Sequence, residues 1–287
     1  MKTKTLYKLF MYVALITLAI IIIVPLAWVF MASIKHSSEF YGNPWALPKG
    51  FYYQNFIDAW TEAKMGEYFF TSIRVTAVAL LILLATALPA AYVLSRFEFK
   101  SRKLFNGLMM AGLFVNVSYI VVPIFLMLLE WDRGLIAQGL PQFFIDNHFV
   151  VSLIYAATAI PFTTFLLSSY FRTIPKAYEE AAYIDGASNF ATMVKVMIPM
   201  AKPAIVTVIL FNFFAFWNEY IIALTLLPTA SKTLPVGLTN LMQVQKAATN
   251  YGQLYAGLVI VMLPTLILYA LLQKRITEGM TLGGLKD

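Results

Sequence analysis

The sequence predicts an all-α membrane protein with six transmembrane helices, and three observations carry that expectation. First, 60% of the 287 residues are hydrophobic and only 12% are charged, against roughly 45–50% and 25% in an average soluble domain. Second, the uncharged residues gather into long stretches of helix-spanning length. Third, the 21 basic residues lie between those stretches rather than within them. This composition excludes an ordinary soluble enzyme. It also excludes a disordered chain, because 23 Phe, 16 Tyr and 5 Trp bring too much apolar surface to stay solvated. A net charge of +7 would suggest nucleic acid in a soluble protein, whereas here the cations serve to orient spans in a bilayer. With no cysteine, disulfides, thiolate catalysis and cysteine metal sites are ruled out.

The first uncharged run, 9–34, follows Lys2, Lys4 and Lys8. It is far longer than the roughly 7–15-residue apolar core of a signal peptide and ends in no small-x-small cleavage site, so an uncleaved helix is expected. Runs 75–95, 104–129, 147–171 and 247–273 each exceed the roughly 20 residues needed to cross about 30 Å of hydrocarbon. The remaining run, 203–218, meets Glu219 and then continues through 220–227. It is read as a span starting near Lys202, with Glu219 near its outer end or facing protein, since a lone carboxylate in lipid carries a large desolvation cost. Pro25, Pro89, Pro123, Pro161 and Pro264 fall inside spans, where neighbouring chains can satisfy the carbonyls they release. Small residues such as Ala85, Thr86 and Ala87, or Ala156 to Ala159, permit close helix contacts.

Six crossings put both termini on one side. With the N-terminus inside, 14 of the 21 Lys and Arg fall in the inner segments 1–8, 96–103, 172–202 and 274–287, and 7 fall outside. The positive-inside rule then makes both termini cytoplasmic. The expected divisions are 1–70 for the first helix and outer loop, 71–272 for a core of five helices, and 273–287 for a cytoplasmic tail.

The most informative stretch is the polar inner segment 172–199. Pro175 can open a helix whose early turns are favoured by Glu179, Glu180, Ala181 and Ala182. Gly186 permits a turn, Ser188 can cap a second short helix, and Pro199 and Pro203 stop it before the next span. Such a helix can be a mechanical contact, with Ala181 and Ala182 allowing close approach and Glu180 and Asp185 offering acceptors. The same residues fit an amphipathic helix on the lipid surface, or a charged spacer, equally well.

This segment resembles the EAA loop of binding-protein-dependent ABC transporter permeases: Glu180, Ala181 and Ala182, then three residues, Gly186, nine residues, and Val196-Met197-Ile198-Pro199. The usual ending carries Ile and Leu where this chain has Val196 and Ile198, an apolar change of shape. The likeness continues through Phe216-Trp217-Asn218-Glu219-Tyr220 and Thr233-Leu234-Pro235-Val236-Gly237-Leu238. Together these features resemble the MalG-like carbohydrate-importer subfamily, and the likeness covers most of the chain.

That resemblance implies a permease in a prokaryotic cytoplasmic membrane. Its partners would be a related MalF-like permease, two cytoplasmic ABC ATPase subunits, an extracytoplasmic substrate-binding protein and a carbohydrate substrate, with no nucleic acid. The chain carries no G-x-x-x-x-G-K-[ST] phosphate loop, so no cofactor and no enzymatic activity of its own are expected. Glu180, Ala181, Ala182, Asp185, Gly186 and Pro199 would belong to an ATPase-coupling element. Asn212, Trp217, Asn218 and Glu219 are candidates for outer or pathway contacts, although Trp217 can equally be an interfacial anchor, Asn218 an interhelical hydrogen-bond donor and Glu219 a charge near the interface. Asn116, Ser118, Thr163 and Thr164 add polar groups that could line a path or join helices. A secondary transporter would show internal repeats or a buried acidic pair, and neither is evident. His36 and His148 lie far apart without a nucleophile or ligand set, which argues against a membrane enzyme. Within the same importer group, glycerol 3-phosphate or another polyol phosphate remains the competing cargo; it would demand compensating cations or amide donors.

Overall fold

The computed structural model describes residues 2–41, 43–248 and 250–284. Thr249 of the expected last span and residues 285–287 of the expected tail lie outside them. Every regular element among the described residues is helical. The chain forms two compact units, one of 1–67 with 237–264 and one of 68–236 with 265–287.

Among the described residues, four helices are long and apolar enough to cross a bilayer: α1 (Lys2–Ser33), α3 (Met65–Arg96), α6 (His148–Thr173) and α13 (Tyr251–Gly284). Between α1 and α3 lies the short α2 (Gln54–Thr61). Pro25, Pro89, Pro161 and Pro264 sit inside the four long helices, as expected of spans. The remaining two expected spans are bent pairs. The run 104–129 is not one helix but α4 (Arg102–Gly112) and α5 (Val117–Ala137), which turn by 104° at the break. Asn116 adopts an extended backbone there, and its Oδ1 accepts the Ser118 amide at 2.9 Å, opening a new helix rather than continuing the old one. Gly112 also lies so close to α6 that a Cβ would stand 2.6 Å from Pro161 Cγ. The second pair is described below with the polar segment.

In the first unit, Asn55 is buried and its amide donates to the carbonyls of Ser33 at 2.9 Å and Lys35 at 2.8 Å, pinning the end of α1. The buried Lys35 ammonium donates to the Pro44 carbonyl at 2.7 Å. Trp28 packs edge-on to Tyr255 with ring centroids 5.0 Å apart.

The second unit is built on α3 against α6. Ala79, Ala87, Ala91 and Ala156 are fully buried, which lets the backbones approach closely. Two hydrogen bonds then stitch the helices: Ser152 Oγ to the Val75 carbonyl and Ser168 Oγ to the Ala91 carbonyl, both at 3.1 Å. Leu83, Tyr155, Leu167 and Phe171 complete this core with Val208, Leu226 and Leu227.

Candidate functional site

After α6 the polar segment folds as three short helices: α7 (Ala177–Ile184), α8 (Asn189–Thr192) and α9 (Ile198–Met200), with a π-helical turn over Met193–Met197. The chain then bends by 75° into α10 (Lys202–Trp217). Pro199 lies in the first turn of α9 and Pro203 in that of α10, consistent with an expected stop between them.

Two adjacent glutamates on α7, about 100° apart around the helix, meet different surroundings: Glu179 is buried and Glu180 exposed. Glu179 Oε2 lies 2.9 Å from Arg96 Nε at the end of α3. Its Oε1 accepts the Tyr92 hydroxyl at 2.9 Å, while Arg96 Nη2 donates to the Ile174 carbonyl at 2.6 Å. Ala182, one turn on, is buried on the same side. Glu180, Ala181, Asp185 and Gly186 are exposed. They share that surface with Tyr178, Tyr183, Ile184 and Phe190; Ile184 is 87% exposed and Phe190 72%.

The end of α7 is a Schellman turn. Gly186 has φ +82°, its amide donates to the Tyr183 carbonyl at 3.0 Å, and the Ala187 amide reaches the Ala182 carbonyl at 2.9 Å. Ser188 then accepts the Ala191 amide at 3.2 Å and starts α8. Glycine and serine therefore set a fixed corner that displays Ile184 and Phe190.

Three of the four outer candidates are drawn into the protein, and the fourth, Asn218, is exposed. Asn212 is buried and donates to Thr163 Oγ1 at 3.0 Å and to the Val208 carbonyl at 2.7 Å. Trp217 is buried, stacked on Phe213 and edge-on to Phe69. Asn218 turns back to the Phe214 carbonyl at 2.8 Å. Glu219 sits at the break before α11 (Ile221–Leu226), so the run 203–227 is two helices and not one. Its Oε1 accepts the Ile222 amide at 2.7 Å, while Oε2 accepts the Ala223 amide at 3.1 Å and the Tyr155 hydroxyl at 2.7 Å. The break supplies amide donors that an uninterrupted helix would have used internally, and these satisfy the carboxylate.

Beyond α11, Asp146 joins the loop before α6 to the loop after α11. It accepts the amides of Thr229 and Ala230, both at 2.8 Å, and the Thr229 hydroxyl at 2.6 Å. Burial raises its carboxyl pKa, but these donors and the nearby Lys232 outweigh that and hold it below the usual value. Burial pushes the Lys232 ammonium down, with Asp146 opposing. Lys232 donates to the carbonyls of Leu227 and Pro228. His148 Nε2 donates to the Ser231 carbonyl at 2.8 Å. The 227–233 loop leading to α12 (Leu234–Ala248) is thus braced at both ends.

Sequence reasoning missed Glu179, Arg96 and Tyr92. The one local signal was the Glu-Glu pair itself: adjacent helical residues point about 100° apart, so a helix packed on one side can turn one of them inward and the other outward. Nothing local links Glu179 to Arg96, 83 positions away.

Residues 84–281 match the family model described as "Binding-protein-dependent transport system inner membrane component". The chain is 36% identical to the diacetylchitobiose uptake system permease protein NgcG of Streptomyces coelicolor, over 94% of this chain and 86% of that one. It is 30% identical to the trehalose/maltose transport system permease protein MalG of Thermococcus litoralis, over 100% and 99% of the two chains. Its fold matches a chain from the crystal structure of a bacterial ABC transporter involved in the import of the acidic polysaccharide alginate, with a TM-score of 0.80 at 24% identity, covering 96% of this chain and 98% of that one. The chain therefore belongs to the inner-membrane component family of binding-protein-dependent transport systems.

Proposed function

We propose that this chain is a permease subunit of a carbohydrate-importing ABC transporter of the MalG-like group, energised through α7 by a partner ATPase. The observation that carries the reading is the exposed face of α7, where Glu180, Ala181 and Asp185 stand beside the uncovered Ile184 and Phe190 on a corner fixed by Gly186. An exposed apolar patch rimmed by charged residues is the kind of surface that a protein partner covers. The relatives' names, which refer to uptake of diacetylchitobiose and transport of trehalose or maltose, support a carbohydrate cargo.

In this reading α4 with α5, and α8–α9 with α10, each make one crossing. The six crossings leave both termini and α7 on the cytoplasmic side, where most of the basic residues then fall. The chain pairs with a related MalF-like permease, two cytoplasmic ATPase subunits and an extracytoplasmic substrate-binding protein. ATP-driven closure of the ATPases displaces α7, and the two packings of the helices alternate access to the pathway. Asn212, Trp217 and Glu219 hold the helices that bound this pathway, and Asn218 remains available for an outer contact.

The test is uptake in proteoliposomes containing this chain, its permease and ATPase partners and the cognate binding protein. ATP-dependent accumulation of a labelled oligosaccharide is expected, with loss of uptake when this chain is omitted. Accumulation of glycerol 3-phosphate in place of oligosaccharide would move the chain to the polyol-phosphate group. ATP-independent uptake by this chain alone would overturn the reading.

A further inference from the structure

We infer that Glu179, Arg96 and Tyr92 form a strut that locks α7 to the inner end of α3, so that a displacement of α7 is delivered to α3 rather than lost in the loop. The inference rests on the reading of α7 as the ATPase contact, and it adds a positioning role for residues on the opposite face of that helix.

Three features carry it. The ion pair is shielded, with 7% and 8% of the two side chains exposed, so neither partner can exchange the other for water. It is multiply anchored: the carboxylate holds Arg96 with one oxygen and the Tyr92 hydroxyl with the other, while Arg96 also grips the Ile174 carbonyl just ahead of α7. Finally, α3 is itself fastened to α6 by Ser168 and Ser152, so the strut ends on a span that carries the core of its unit.

A buried pair of this kind contributes little net stability compared with apolar packing, but it strongly resists separation, because parting the charges leaves each one uncompensated. Apolar side chains at these positions could slide past one another, whereas an ion pair flanked by the Tyr92-to-Glu179 and Arg96-to-Ile174 hydrogen bonds favours one register. That property suits a part that transmits displacement. It also accounts for the division between adjacent glutamates, with Glu180 directed to the partner and Glu179 to its own chain.

The experiment uses the complete reconstituted transporter carrying Glu179→Gln, Arg96→Gln, the double variant or Tyr92→Phe. Each is measured for oligosaccharide accumulated per ATP hydrolysed. Because the chain has no cysteine, an Ala177→Cys reporter at the exposed start of α7, added to every background, can be crosslinked uniquely within this chain to the ATPase. Each single glutamine variant is expected to keep the crosslink and lower transport per ATP roughly tenfold, with the double variant no worse than the worse single, since it leaves no buried charge unpaired. Tyr92→Phe should lower it about threefold, as expected for one lost hydrogen bond. Unchanged transport per ATP with the crosslink retained would overturn the strut and leave the docking of α7 intact. Loss of assembly in the single variants together with full stoichiometry in Tyr92→Phe would reduce the cluster to a folding contact, which also overturns it. Absence of the crosslink in the transporter carrying Ala177→Cys alone would overturn the docking of α7 and the strut with it.

Discussion

Gly186→Val is expected to abolish substrate-stimulated ATP turnover while leaving the chain in the membrane. Nothing lies within 4 Å of where a Cβ would stand at Gly186, so the substitution meets no steric obstacle from its neighbours. What it meets is its own backbone: φ is +82°, a conformation in which a β-branched residue is strained by about 1–2 kcal/mol or more. The cheapest relief is to unwind the Schellman turn, which frees the carbonyls of Ala182 and Tyr183 and rotates Ile184 and Phe190 away from each other. Stimulated turnover should fall at least roughly tenfold, and Gly186→Asn, which tolerates left-handed backbone, should restore most of it. The measurement is ATP hydrolysis by purified complex with and without loaded binding protein. Equal activity of the Val and Asn variants would show that the turn geometry does not matter.

Ile184→Asp should have an effect of similar size for a different reason. At 87% exposed, Ile184 contributes almost nothing to packing within the chain, so aspartate there leaves the fold and its insertion unaltered. A well-buried apolar anchor at an interface is commonly worth about 2 kcal/mol or more, which corresponds to a loss of roughly 30-fold in affinity. The ATPase should therefore co-purify with the Ile184→Asp chain only at much higher concentration, and uptake should fall in parallel. If ATPase recovery and uptake match those of the parent chain, Ile184 faces solvent in the assembly and the docking surface lies elsewhere.

How much of this was legible in the sequence differs from element to element. Long spans such as α6 announce themselves because an uncharged stretch of that length has few other uses, and the structure places α6 within two residues of the expected ends. The 104° bend between α4 and α5 was not legible: every residue from 104 to 129 is uncharged, and hydropathy carries no information about direction. Asn116 held the only local cue, as a helix-capping residue within an apolar run. The helix carrying the run 75–95 is also longer than that run: α3 begins at Met65 and carries Glu67 and Arg74 on its exposed face.

At the candidate site, the order of short helix, glycine turn and serine cap could be read locally, since Gly186 and Ser188 act through their own backbone and their immediate neighbours. The facing of α7 could not. Whether Glu179 or Glu180 turns inward depends on where Arg96 and Tyr92 arrive, and that is decided by the packing of α3 on α6 through alanines and serines distant in sequence. Asp132 shows the same limit: it lies in the charged stretch 130–133 of α5, yet it is buried and accepts the amides of Phe143, Phe144 and Ile145. Partners that are backbone amides of a returning loop leave no trace in side-chain patterning.

The exposed face of α7 is expected to meet a cytoplasmic ATPase subunit, which a proximity measurement on the working transporter tests most directly. With Glu180→Cys as the only cysteine in this chain, a short bifunctional thiol reagent should join it to single cysteines placed around the ATPase surface. A crosslink confined to one small region of the ATPase is expected in both the nucleotide-free and ATP-bound states, and its formation should block ATP-driven uptake. No crosslink to any ATPase position in either state, while the uncrosslinked Glu180→Cys transporter imports normally, would contradict this contact.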